Sequence, residues 1–285
     1  TANVVELVGA TPVFVDIDID TFNIDPVLIE AAITPKTKAI LPVHEFGLAC
    51  NIQEVCAIAA RHGLHVIEDA ACALGARESG RYAGTFGITG SFSFHPRKAI
   101  TSGEGGMLVT NEDGLARDLR ILRNHGIEMQ NGKMEFVAAG FNYRLTDFQA
   151  ALVNSQFHRM EANLDYKDRL AGIYLARLRN LEYIKLPVVP AGKRHTWQSF
   201  HLILKNGIDR DETIKALKEK GIGTNYGAQC MPDQKYFRDK YRLDSERSFP
   251  NAWRAYRQGL VLPLYERLTE ADIQKVTEAV YGIRS

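Results

Sequence analysis

Short runs of β-branched and aromatic residues alternate with helical patterns from the start of the chain to about residue 125. That alternation restricts the fold more than any other feature, because parallel strands cannot be joined by a tight turn and need crossover helices between them. The strands it predicts are TPVFVDI, TKAILPVH, LHVIEDA, GSFSFH and GGMLVTN. Between them NIQEVCAIAARHG opens on Asn51 as its cap, closes at Gly63 and sets Val55, Ile58 and Ala59 on one face. EDGLARDLRILRNHG repeats the pattern with Leu115, Leu119 and Leu122. The opening TANVVELVGATPVFVDID reads as an apolar helical segment, a Gly9-Ala10 turn and the first strand, the middle of an α/β unit with further sequence expected upstream.

From Thr146 to about Leu181 the texture becomes helical. Phe148, Leu152, Phe157, Met160 and Leu164 recur every three to five residues, and for most of them the expectation is plain core packing. LPVVPAGKRH, with two prolines and a glycine, is the best linker. Beyond it come the strand SFHLILK, the helix DRDETIKALKEKG ended by Gly221, a weaker strand, and a final helix LTEADIQKVTEAV capped by Thr269. At 285 residues a large domain with a smaller companion is expected. The boundaries read 1–165 for the large α/β domain and 166–285 for a small C-terminal α+β domain.

A formal net charge of +1 leaves no electrostatic footprint for nucleic acid or an anionic membrane, so small molecules are the expected partners. The four cysteines form no CxxC pair, which predicts reduced thiols in a cytoplasmic protein, with no disulfide and no metal site. No run of about 18 apolar residues appears, and the opening lacks the basic-then-apolar order of a leader.

In parallel α/β sheets ligands sit beyond the carboxyl ends of the strands. LHVIEDA delivers Glu68 and Asp69 there; GSFSFHPRK delivers Ser93, His95 and, after Pro96, Lys98. An amine that forms a Schiff base must shed its proton, whereas a carboxylate beside a heteroaromatic nitrogen keeps that nitrogen protonated. Lys98 with Asp69 is therefore a pyridoxal 5′-phosphate (PLP) pair, with Ser93 able to bond a phosphate oxygen and the glycines of GEGG letting the backbone pass close by. Taken singly, Lys98 reads first as a solvated surface lysine and Asp69 as a strand-end carboxylate that caps or salt-bridges.

The motifs GATPVFVDID, FNIDP, PVHEFG, VIEDAACALGA, SFSFHPRK, GEGGMLVTN, GFNYRLTDFQAAL, FPNAW and LPLYERLT span almost the whole chain. Together they resemble the DegT/StrS-like nucleotide-sugar aminotransferases among the fold-type-I PLP enzymes. The resemblance implies a mixed, mostly parallel sheet between helices, a three-layer α/β/α fold. It implies transfer of an amino group from glutamate to a nucleotide-linked keto-sugar for polysaccharide, lipopolysaccharide or antibiotic assembly. Lys98 would be the Schiff-base lysine and proton carrier, and Asp69 the partner of the pyridine nitrogen. Ala71 would lie against the ring, Ser93 would hold the phosphate, and Asn142 would be lent to the phosphate of a neighbouring subunit in a homodimer. His44 and His95 fall near the pocket without an assigned chemistry.

Three departures bear on the expectation. Cys72 stands where relatives carry Gln or His toward a ring oxygen, and a thiol is a weaker donor. Arg97 replaces a small hydroxyl residue before the lysine, and GIGTNYGAQCMPDQ lacks the histidines of the corresponding substrate loop. The resemblance also implies a segment before residue 1, with a helix whose amides cradle the phosphate. Two other readings stay open: a sugar dehydratase of the same fold, which would tend to carry histidine in place of Lys98, and a non-catalytic binding member with little cofactor.

Overall fold

The principal sheet has the strand order β1 (Ala39–Ile40), β2 (His65–Asp69), β3 (Thr89–Ser93) and β4 (Gly106–Val109). This computed structural model describes residues 1–205 and 207–284. β1, β2 and β3 run parallel; β4 returns antiparallel along β3, with Ser93 opposite Gly106. The crossover from β1 to β2 is helix α1 (Ile52–Arg61), which buries Ile52, Val55, Ile58 and Ala59 against Ile29, Ile40 and Val66. Asn51 does not cap it through its side chain. Instead the Ile52 N–H donates to Glu78 Oε2 at 2.9 Å, and Asn51 Oδ1 accepts from Lys193 Nζ at 2.7 Å.

TPVFVDI is not a strand; among the described residues its only ladder contact is a bridge from Ile17 to Ile24. Its one aspartate, Asp16, and Asp18 just beyond it hold other parts of the backbone. Asp16 accepts the N–H groups of Asn251 and Ala252 at 3.0 and 2.9 Å, and Asp18 Oδ1 accepts those of Asp20 and Thr21 at 2.8 Å each. Phe14 meanwhile packs edge-on against Phe237 and Phe249. The segment is thus spent on contacts with the C-terminal third of the chain.

Helix α2 (Asp113–Leu122) follows the sheet, and an exposed hairpin of β5 (Ile127–Gln130) and β6 (Lys133–Phe136) precedes the long helix α3 (Asp147–Leu178). Thr146 and Gln149 close a capping box at its start. Core packing fails for three of the five hydrophobics expected there, since Phe148, Leu152 and Phe157 are exposed, Phe148 by 75%. The buried face begins at Met160 and Leu164, which pack with Phe94 and Ile100 of the large sheet's layer. Periodicity records that a face is apolar and does not record what covers it.

A second, antiparallel sheet has the order β9-β8-β7, where β7 is Ile184–Lys185, β8 is Phe200–Leu204 and β9 is Gly259–Leu262. Helices α4 (Arg210–Glu219) and α5 (Glu270–Tyr281) belong to this unit. Leu170, Ala171, Tyr174 and Leu178 of α3 enter the same core as Leu202, Leu204, Leu217 and Ile273. Thr269 caps α5 as the sequence predicts, with Asp272 completing a capping box. The weaker strand reduces to one bridge, Asn225 to Val261. LPVVPAGKRH is not a loose linker. Lys193 donates to the carbonyls of Ala49 and Cys50 at 2.9 and 2.8 Å, and Lys193–Arg194 pairs with Arg77–Glu78. Among the described residues no helix is long and apolar enough to cross a membrane.

Candidate active site

β2 stops at Asp69 and its parallel neighbour β3 at Ser93, so both strands open onto the same edge of the sheet. After β2 the backbone closes a tight turn, with the Ala73 N–H donating to Ala70 at 2.9 Å, and this brings Cys72 back over the strand end. After β3 the Lys98 N–H donates to the His95 carbonyl at 2.9 Å, and Lys98 Nζ donates to Cys72 Sγ at 3.0 Å. The two loops therefore meet through an amine and a thiol. Asp69 Oδ1 accepts from the Ala71 N–H at 3.1 Å, and Oδ2 accepts from the Thr1 hydroxyl.

Glu68 points to the other side of the strand and is wholly buried. It accepts the N–H groups of Gly84, Phe86 and Gly87 at 2.7, 2.6 and 2.6 Å, and lies 2.8 Å from His44 Nε2. His44 Nδ1 accepts the Cys50 N–H at 3.1 Å, so Nε2 carries the hydrogen and donates to Glu68. Burial pushes the Glu68 carboxyl upward, yet His44 and the amides outweigh it and hold it below the usual range. His44 thus supports the strand from beneath.

Glu45, the next residue, is a third carboxylate of the group, and the sequence reading passed over it. It begins the 3₁₀ turn Glu45–Gly47, fastened by its N–H to Asn23 Oδ1 at 2.8 Å and by the Thr196 N–H to Gly47 at 2.8 Å. Gly47 has φ +99°, and a Cβ there would stand 2.5 Å from Thr196 Oγ1. Burial raises the Glu45 carboxyl above its ordinary range; Lys98 opposes that rise and Asp69 adds to it. Burial likewise raises the Cys72 thiol, with Glu45 adding to the rise and Lys98 opposing it. Lys98 accordingly faces a neutral thiol with two carboxylates nearby. The signal was legible in PVHEFG: an acid directly after a histidine at the end of a strand that neighbours β2.

The remaining predicted residues divide. Ser93 Oγ accepts the His95 N–H at 3.3 Å beside the same loop, and His95 Nδ1 accepts the Arg97 N–H at 3.2 Å. Asn142 lies apart on an exposed loop, bridged to Asn124, and no hydrogen bond among the described residues joins it to Lys98, Asp69 or Ser93. Lys98 also lines a cleft of about 210 Å³ together with Arg97, Lys167, Gln198, Tyr265 and Glu266, among others. A larger hollow of about 430 Å³, among Arg117, Arg120, Arg123 and Arg144, touches none of the predicted site residues.

This donor set fits pyridoxal phosphate. It offers an amine for the aldehyde, a carboxylate at the neighbouring strand end for the ring nitrogen, and a strand-end hydroxyl for a phosphate oxygen. A lysine and an acid delivered by neighbouring strand ends at the carboxyl edge of a mostly parallel α/β sheet fit the class of PLP-dependent transferases. The sequence model of the DegT/DnrJ/EryC1/StrS aminotransferase family matches residues 1–281, and the chain belongs to that family. Its cofactor is pyridoxal 5′-phosphate.

Among relatives, the spore coat polysaccharide biosynthesis protein SpsC of Bacillus subtilis is 38% identical over 99% of this chain and 76% of its own. A DegT DnrJ EryC1 StrS aminotransferase from Brucella abortus superposes with a TM-score of 0.91 at 34% identity, covering 100% of this chain and 76% of that one. DesV of S. venezuelae gives 0.91 at 34% identity, covering 100% and 75%.

Proposed function

We propose that the protein transfers an amino group, taken from glutamate, to a keto-sugar carried on a nucleotide. The family supports the reaction type, and the polysaccharide role printed for SpsC supports a sugar acceptor. The observation that carries the reading is the 3.0 Å contact of Lys98 Nζ with Cys72 Sγ, which holds the amine at the turn that leaves Asp69.

Bound pyridoxal phosphate supplies an aldehyde and an electron-accepting ring. Lys98 holds that aldehyde and, once released, its Nζ takes the proton from the α-carbon of the donor. Asp69 keeps the ring nitrogen protonated. With the cofactor bound, Ala71 would line the ring, Cys72 would stand beside its oxygen, and Ser93 would hold the phosphate. Glu45 sets the charge around Lys98.

Asn142 serves the phosphate of a partner subunit in a homodimer. The exposed apolar side chains Met129, Met134, Phe136, Phe148 and Phe157 support a second copy as the cover. We divide the chain into a large domain, 1–165, and a small one, 166–285. The change of packing partners along α3 supports that split, with Met160 and Leu164 on the large side and Leu170 to Leu178 on the small.

The test is mass spectrometry of products after incubating the PLP-loaded protein with glutamate and a panel of nucleotide-linked keto-sugars. An amine in place of the ketone is expected with at least one of them, falling by about 10³-fold or more in Lys98→Ala. Wild-type protein that takes up the cofactor and aminates none of the panel would refute the assignment.

A further inference from the structure

Along the buried face of α3 the residues Met160, Leu164, Lys167, Ala171, Tyr174 and Leu178 follow at helical spacing. Five belong in a core, and Lys167 breaks the pattern. It is only 5% exposed. Among the described residues its ammonium has no hydrogen-bond or ion-pair partner, and Glu266 acts on it only at longer range. Burial lowers its pKa, with Glu266 working in the opposite direction. Lys167 in turn acts on His195, which burial first and the lysine second bring to about 3. The side chain is thus buried while its ammonium, which is not among the fully buried unpartnered atoms, opens to a cleft with no protein group among the described residues paired to it.

Lys167 lines the cleft of about 210 Å³ that also holds Lys98, Arg97, Gln198, Tyr265 and Glu266. Three cations face one carboxylate there. Gln198 is already engaged, donating to the Arg97 carbonyl at 3.3 Å and accepting from Ser199 at 3.0 Å. The volume is below the roughly 300–1,000 Å³ of pockets for drug-sized ligands, so it suits a small anion better than a nucleotide.

We propose that Lys167, assisted by Arg97, binds a carboxylate of the amino-acid donor in this cleft beside Lys98. The assignment rests on the aminotransferase reading and adds a subsite to it. Lys167 acts by positioning: it seats the donor so that its amino group meets the reacting centre, and it touches none of the atoms that exchange.

The test titrates PLP-loaded wild type, Lys167→Met and Lys167→Arg with glutarate, a dicarboxylate with no amine to transfer, by calorimetry. Glutarate affinity should fall at least tenfold in Lys167→Met and recover in part in Lys167→Arg. The KM for glutamate should rise by a similar factor while the KM for the keto-sugar holds. Without ligand, Lys167→Met should unfold at or above the wild-type temperature, since it removes an unpaired charge from a buried side chain. If it does not fold, Lys167→Gln takes its place under the same criteria. Unchanged glutarate affinity, an equal rise in both KM values, or displacement of glutarate by a nucleoside diphosphate bound on Lys167 would each overturn the assignment. Failure of borohydride to fix cofactor on Lys98 would overturn the enzyme reading instead, which keeps the two failures distinct.

Discussion

Glu68 and Asp69 are adjacent in sequence and opposite in fate, because successive side chains of a strand face opposite sides. One enters a buried lattice with His44 and three amides; the other reaches the sheet edge. Glu68→Gln should therefore cost about 2–4 kcal/mol in urea unfolding at pH 7, by weakening bonds to a buried charge. The folded carboxyl lies below its ordinary range, so its stabilising contribution is complete above the unfolded value and is lost as pH falls through the folded one. The gap between wild type and Glu68→Gln should shrink on acidification below the usual glutamate range; a gap constant down to pH ~3 would contradict this. Cys72→Gln should not weaken cofactor retention, because a thiol gives little to a ring oxygen. A clear drop in occupancy on gel filtration would refute that. That one strand closes at Asp69 and its neighbour at Ser93, just ahead of the Lys98 loop, was legible because strand ends can be read from alternation. Glu45 was signalled only by its place after His44 in PVHEFG and Lys167 not at all, since burial by neighbouring loops and helices gives each its surroundings.

Helices and turns explain which of the site's supports the sequence could reveal. The caps of α3 and α5 follow local chemistry and were readable at Thr269, whereas Asn51 looked like a cap and serves Lys193 instead. TPVFVDI failed as a strand because Asp16 binds the amides of Asn251 and Ala252 and Phe14 packs on Phe237 and Phe249, contacts that no local pattern announces. Thr146→Ala should cost about 1 kcal/mol by removing half of the capping box, measured by thermal or urea unfolding. Gly47→Ala should cost at least about 2 kcal/mol, through a positive φ and a Cβ pressed on Thr196, and should weaken PLP retention by moving Glu45. A variant with wild-type stability and cofactor content would show that the turn does not govern the pocket.

Among the described residues, the hairpin and the first half of α3 leave large apolar side chains exposed, Met129, Met134, Phe136, Phe148 and Phe157 among them. Sequence periodicity found Phe148, Leu152 and Phe157 and assigned them to the interior, which the isolated chain does not bear out. A stable interface uses such a face. Sedimentation should give a dimer, and Phe148→Glu with Phe157→Glu should shift it toward monomer while leaving the circular dichroism of the helices intact. A monomeric wild type would remove the basis for Asn142. The chain as a unit stands or falls on which lysine takes the cofactor, and two lysines line the same cleft. Borohydride reduction of the PLP-loaded protein followed by peptide mass mapping should place the phosphopyridoxyl group on Lys98, with none in Lys98→Ala. A label on Lys167, or on no lysine at all, would contradict the account.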